Sequence, residues 1–153
     1  MQLAYTPTTQ SDADTLVEMR IAAMRESLER IGRFDPQRAR ERFLASFTPE
    51  LCRFIELEGV RVGFILMRPL ADHWLLDHFY VLPEHQGKGV GAAVLQSVFA
   101  EADEQHLPIR LGALRGSDSN RFYQRHGFQQ THETEWDIYY ERVPNPDRHD
   151  RRD

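Results

Sequence analysis

The stretch Phe79-Tyr80-Val81-Leu82-Pro83-Glu84-His85-Gln86-Gly87-Lys88-Gly89-Val90-Gly91 decides how the rest of the chain is read. Trp74 to Leu82 is the most hydrophobic strand pattern in the sequence, and Pro83 ends it. Glycine then occupies positions 87, 89 and 91. Directly afterwards Ala92, Ala93, Val94, Leu95, Val98 and Phe99 share one face of a helix that runs to about Gln105. No acidic residue stands between Gln86 and Ala100. Glycines let backbone N–H groups converge closely on an anion, and a helix N-terminus adds the positive end of its dipole. The order strand, glycine loop, helix therefore predicts a cradle for a phosphate or pyrophosphate, with Lys88 supplying charge at its rim.

Other glycine loops fit less well. A P-loop needs Gly-Lys followed by Ser or Thr, and here Gly89 follows Lys88. Gly87-x-Gly89-x-x-Ala92 does match the dinucleotide pattern. However, Arg115 stands where that fold expects an acidic ribose ligand, and the roughly 60 residues that remain are too few for a doubly wound sheet. A turn with no ligand gives little reason for three glycines at alternate positions.

Upstream, residues 2–6 read as a strand and 12–30 as an amphipathic helix, opened by a loose capping box of Ser11 and Asp14. Gly32 and Pro36 close that helix and start a second over about 36–47. Cys52–Leu57 and Val60–Met67 form a hairpin about Glu58-Gly59. Downstream come a strand at Leu107–Leu114, a short helix through Tyr123 and Arg125, and a strand pair near 128–141. This order predicts an α/β fold with a mixed, largely antiparallel central sheet and helices on both sides. One domain over 1–142 is expected, with 143–153 as a disordered tail.

With both segments in view, the chain resembles the GNAT N-acetyltransferase superfamily. Val81-Leu82-Pro83 followed by Gln86-Gly87-Lys88-Gly89-Val90-Gly91 is similar to its acetyl-CoA motif. Asn120-Arg121-Phe122-Tyr123-Gln124-Arg125-His126-Gly127-Phe128 is similar to its short helix with the FYxxxGF ending. The resemblance spans roughly residues 2–141 and implies acetyl-CoA as cosubstrate, with no metal. It implies cofactor contacts from Val81, Leu82, Gln86, Gly87, Lys88, Gly89, Val90, Gly91, Asn120 and Tyr123. The pyrophosphate would lie on the 86–91 amides, and the pantetheine arm between the strand carrying Val81 and the strand at 109–114. A backbone N–H near Val81 would polarise the acetyl carbonyl. Tyr123 falls at the family's general-acid position. The family's frequent Asn seven residues before that Tyr is Gly116 here, so Asn120 either replaces the contact or faces outward.

Thioester aminolysis needs a neutral amine, donors for the developing oxyanion and an acid for the leaving thiolate. A phenol titrating near about 10 suits the last task; Tyr123 could equally be a core residue of its helix. For the base, Asp77 and His78 sit on alternate faces of the hydrophobic strand, where a carboxylate is costly without a partner. The acceptor is expected near residues 31–38 and 132–137. Glu133, Glu135 and Asp137 alternate there, which predicts three acids on one strand face, either solvated or attracting a cationic amine.

The bulk numbers agree with this reading. The chain has 153 residues, one domain's worth, with 41% hydrophobic and 28% charged residues. A net charge of -5 and a pI near 5.8 argue against a nucleic-acid partner. The single cysteine, Cys52, allows no internal disulfide and reads as a buried small hydrophobe. No signal peptide or membrane-length apolar run occurs, so a cytoplasmic enzyme is expected. Its partner would be a small-molecule or protein amine, and because dimers are frequent in the family, a homodimer is an open expectation. The alternative is a non-catalytic acyl-CoA sensor.

Overall fold

The computed structural model describes residues 1–144; most of the segment expected as a tail lies outside the described residues. The elements follow the expected order: β1 (Leu3–Pro7), α1 (Ala13–Arg30), α2 (Pro36–Ser46), β2 (Cys52–Leu57), β3 (Val60–Pro69), β4 (Trp74–Val81), α3 (Val90–Glu104), β5 (Ile109–Leu114), α4 (Ser119–Arg125), β6 (Gln129–Glu133) and β7 (Asp137–Arg142). The sheet order is β1-β2-β3-β4-β5-β7-β6. β4 and β5 pair in parallel, with α3 as the crossover that parallel pairing requires, whereas β1–β2, β2–β3, β5–β7 and β6–β7 are antiparallel. The mixed α/β fold predicted above is therefore what forms.

Contacts gather the chain into two compact units, Met1–Met67 with His78–Val90, and Arg68–Asp77 with the chain from Gly91 on. In the first, Leu16, Val17 and Met19 of α1 and Phe43 of α2 bury against Cys52, Phe54, Phe64 and Leu66 of the β2–β3 hairpin. Tyr80 and Leu82 pack against this cluster from the end of β4. The local turns follow from side-chain chemistry. Asp35 accepts from the Arg38 backbone N–H at 3.2 Å and caps α2, with Pro36 in its first turn. The cap at the start of α1 differs from expectation. The Thr9 N–H donates to Asp12 Oδ2 at 2.8 Å, so the capping box is Thr9/Asp12 around a short 3₁₀ turn, two residues before Ser11/Asp14.

In the second unit, α3 buries Val94, Leu95, Val98, Phe99 and Ala102. Its last turn carries Asp103, whose carboxylate takes two hydrogen bonds from the Arg142 guanidinium on β7, at 2.9 and 3.1 Å. That guanidinium also lies 3.9 Å from the centre of the Phe99 ring. The β6–β7 connection corrects the predicted acidic face. Glu133 ends β6, Glu135 lies in the turn and Asp137 begins β7, so the three acids do not share one strand. Arg115, just beyond β5, holds this turn. Its N–H donates to the Trp136 carbonyl at 2.7 Å, and its guanidinium donates to the carbonyls of Thr134 and Glu135. Glu133 itself is 3.5 Å from Arg115.

Candidate active site

The pleat of β4 sends Asp77 and His78 to opposite faces, and their surroundings separate them. Asp77 Oδ2 accepts from Arg68 Nε at 2.8 Å, with both side chains partly exposed. The carboxylate that looked uncompensated in the sequence thus has a cation, nine residues upstream.

His78 stands in an aromatic setting. Its ring meets Phe43 edge-on at 5.0 Å and lies 5.8 Å from Tyr80. Its Nδ1 is 3.3 Å from the Tyr80 hydroxyl, which also accepts from Arg20 Nε at 3.3 Å. Arg20 Nη1 donates to the Ala39 carbonyl at 3.1 Å, so one guanidinium ties α1 to α2 and to β4. Tyr80, Arg20 and Arg68 were not singled out from the sequence, because nothing in the spacing of residues 20, 68 and 80 shows that they meet these partners.

Gly63 was also passed over, although an isolated glycine inside a strand is a signal for close backbone approach. A Cβ added there would overlap the Tyr80 carbonyl oxygen and lie 3.1 Å from Val81 Cα. Beside it, the Leu82 N–H donates to the Val62 carbonyl at 2.8 Å. The end of β4 is thus seated against a position where any side chain would intrude.

Beyond Leu82 the chain makes one 3₁₀ turn, Pro83–His85. Gln86 closes it, with its N–H donating to the Pro83 carbonyl at 3.2 Å and its side-chain amide donating to the Val81 carbonyl at 2.9 Å. The N–H of Gln86 is thereby used within the turn. The following five differ. Among the described residues, the backbone N–H groups of Gly87, Lys88, Gly89, Val90 and Gly91 have no protein acceptor. Gly87 and Gly89 sit at φ 79° and 83°, a region that side chains with a Cβ rarely enter. Residues 86–89 are exposed, and Lys88 Nζ lies 3.4 Å from His85 Nδ1 at the rim. A run of unpaired donors feeding the first turn of α3, with a cation and no carboxylate among them, fits a diphosphate.

In the second unit, Tyr123 is 7% exposed, with its ring 5.4 Å from Phe128 and 6.5 Å from Tyr140. Asn120 is committed to the protein. Its Nδ2 donates to the carbonyls of Leu114 and Ser117 at 2.9 and 3.0 Å, and its Oδ1 accepts from the Tyr140 hydroxyl at 2.8 Å. It fastens the start of α4 to the end of β5. Gly91, the second residue of α3, lies where an added Cβ would meet the Phe122 ring at 3.0 Å.

Against known proteins, the model of the acetyltransferase (GNAT) domain matches residues 49–130, more than half of the chain. No curated protein matches in sequence. Solved structures share the fold. The PaiA N-acetyltransferase of Thermoplasma acidophilum, in complex with coenzyme A, superposes with a TM-score of 0.75 at 18% identity, over 94% of this chain and 99% of that one. An acetyltransferase from Thermus thermophilus gives 0.71 at 19% identity, over 94% and 97%. The ribosomal-protein-S18-alanine N-acetyltransferase of Escherichia coli gives 0.68 at 15%, over 93% and 94%. The chain belongs to the GNAT acetyltransferase family. It is an N-acetyltransferase, with acetyl-CoA as its acetyl donor.

Proposed function

We propose that this enzyme moves the acetyl group directly from acetyl-CoA to an amine while both are bound, the amine being carried by a small molecule or a protein. The observation that carries the reading is the run of unpaired N–H groups from Gly87 to Gly91 at the start of α3. These five amides and Lys88 hold the pyrophosphate. When bound, acetyl-CoA supplies an activated thioester carbonyl. The Val81 backbone N–H stabilises charge developing on that oxygen, and Gln86, fastened to the Val81 carbonyl, and Leu82, fastened to Val62, fix this part of the chain. Asn120 acts by holding the start of α4 rather than by touching the cofactor, since both its donors and its carbonyl are already engaged.

Of the two base candidates we assign His78. Asp77 is neutralised by Arg68, whereas His78 presents its ring among aromatic groups beside the Tyr80 hydroxyl. His78 takes the amine proton, directly or through water, and Tyr123 protonates the departing thiolate. The one buried thiol, with no disulfide, agrees with a cytoplasmic setting. Among the described residues, no helix is long and apolar enough to cross a membrane.

The test is release of CoA thiol at saturating acetyl-CoA across small amines, amino acids, aminoglycosides and peptide N-termini. Turnover is expected with at least one class, and Tyr123→Phe is expected to lower kcat by about 10²-fold or more with little change in the KM for acetyl-CoA. Unchanged turnover in Tyr123→Phe removes the acid assignment, and silence across every class removes the enzymatic reading.

A further inference from the structure

Arg20 is a partly buried cation whose described partners are all uncharged. Its Nε donates to the Tyr80 hydroxyl and one Nη1 hydrogen donates to the Ala39 carbonyl. No carboxylate lies within ion-pair distance of it among the described residues, and its Nη2 donates to none of them. Arg68, Arg110 and Arg142, by contrast, each meet an acid at 2.8–2.9 Å. A guanidinium shielded by neighbouring chain and held only by neutral acceptors is incompletely compensated. Two hydrogens on Nη2 and one on Nη1 remain, a planar fork that matches a carboxylate in bidentate geometry. The fork is immobilised in advance by the Tyr80 and Ala39 bonds, which lowers the ordering cost of capturing an anion.

Its place matters as much as its charge. Tyr80, which fixes the guanidinium, directly precedes Val81 and leads by six residues into the glycine loop. Tyr80 also touches His78, the assigned base. Around them, Phe47 stacks on Phe43 at 5.2 Å, and the rings of Phe64 and Tyr80 are 5.4 Å apart, giving an apolar surround. We infer that Arg20 is a specificity-determining residue that binds a carboxylate on the acceptor, so that the preferred substrate class is a small amine that also carries a carboxylate, such as an apolar or aromatic amino acid. The inference rests on the acetyltransferase reading of this site.

The experiment uses matched acceptors: L-phenylalanine against L-phenylalaninamide and phenethylamine, and L-methionine against L-methioninamide. CoA release is followed at saturating acetyl-CoA and at a pH where each amine is present in the same neutral fraction. The wild type is expected to favour each carboxylate over its amide by about 10- to 100-fold in kcat/KM, the range of a charge-assisted hydrogen bond. Arg20→Gln ends where Arg20 Nε lies, so it keeps a donor for the Tyr80 hydroxyl beside His78, and it is expected to erase that ratio through KM, leaving the amide and the acetyl-CoA KM unchanged. Arg20→Lys should restore part of it. A purely structural Arg20 would instead lower carboxylate and amide turnover together, and that result overturns the inference. So does a wild type that shows no preference, or one that acetylates only amines lacking a carboxylate; both leave the acetyltransferase reading intact. If no amine of any class releases CoA, that reading fails and takes the inference with it. The wild-type ratio alone decides the matter if the variants do not fold.

Discussion

Gly63→Ala is the sharpest test of how this site is positioned. One methyl is added in the middle of β3, at a position with no room for it. The new Cβ would overlap the Tyr80 carbonyl oxygen and sit 3.1 Å from both the Tyr80 carbonyl carbon and Val81 Cα. These are backbone atoms, so no rotamer change relieves the clash, and β4 must move away from β3 by an appreciable fraction of an ångström. Overpacking of this kind costs about 1–3 kcal/mol, and a backbone obstacle places it at the upper end. For a chain of this size that is a fall of roughly 5–12 °C in Tm. The catalytic cost should be larger than the stability cost, because the atoms displaced are those of Tyr80 and Val81, beside the proposed base and the proposed oxyanion donor. A misplacement of about 1 Å lowers turnover by about 10²-fold. Thermal melts and CoA release, measured with whichever amine the acceptor screen identifies, check both numbers. Val60→Ala serves as a control at the exposed start of the same strand, with an expected change within about 0.5 kcal/mol. A Gly63→Ala protein that melts within a degree or so of the parent and turns over within about twofold of it would refute the idea that β3 sets the position of β4.

Two further outcomes follow from buried groups away from the loop. Asp103→Leu strands the Arg142 guanidinium, whose side chain is only 11% exposed, and should cost about 3–5 kcal/mol in urea unfolding, while adding Arg142→Met should recover most of it. A double variant no more stable than Asp103→Leu alone would show that the pair is not the cause. For Cys52, burial pushes the thiol from the usual 9.0 up to about 11. The native state therefore keeps the proton that the unfolded chain releases. The associated stability is complete below pH 9 and is lost as pH rises toward 11, a difference of roughly 2–3 kcal/mol. Cys52→Ala should be less stable than the parent at pH 8, and the gap should narrow between pH 9 and 11; a gap that stays constant refutes the shift.

The parts of this fold that were legible are those whose cause lies within one window of sequence. The Glu58-Gly59 turn between β2 and β3, the Pro36 start of α2, and the glycines between β4 and α3 each specify local backbone without help from elsewhere. Where the reading failed, a distant residue decided. Residues 133–137 alternate acid and non-acid as a strand would, but the carbonyls of Thr134, Glu135 and Trp136 are gathered by Arg115, about twenty residues away, and the chain turns there instead. Alternation describes what a segment would present if extended; it does not say that the segment is extended.

The same division runs through the site. The loop proposed as the anion cradle stood out in the sequence because glycines leading into a helix start are a property of a few consecutive residues. The proposed catalytic face of β4 did not, because Asp77 and His78 are adjacent in sequence and equally polar in a hydrophobic strand. What distinguishes them is Arg68 on one side and Tyr80 with Arg20 on the other. The Asp77 carboxylate is already engaged by the Arg68 guanidinium, whereas the His78 imidazole lies beside the Tyr80 phenol. Removing Arg68 should therefore matter chiefly to stability and removing Arg20 chiefly to acceptor choice, although both are arginines that reach one or two residues of the same strand.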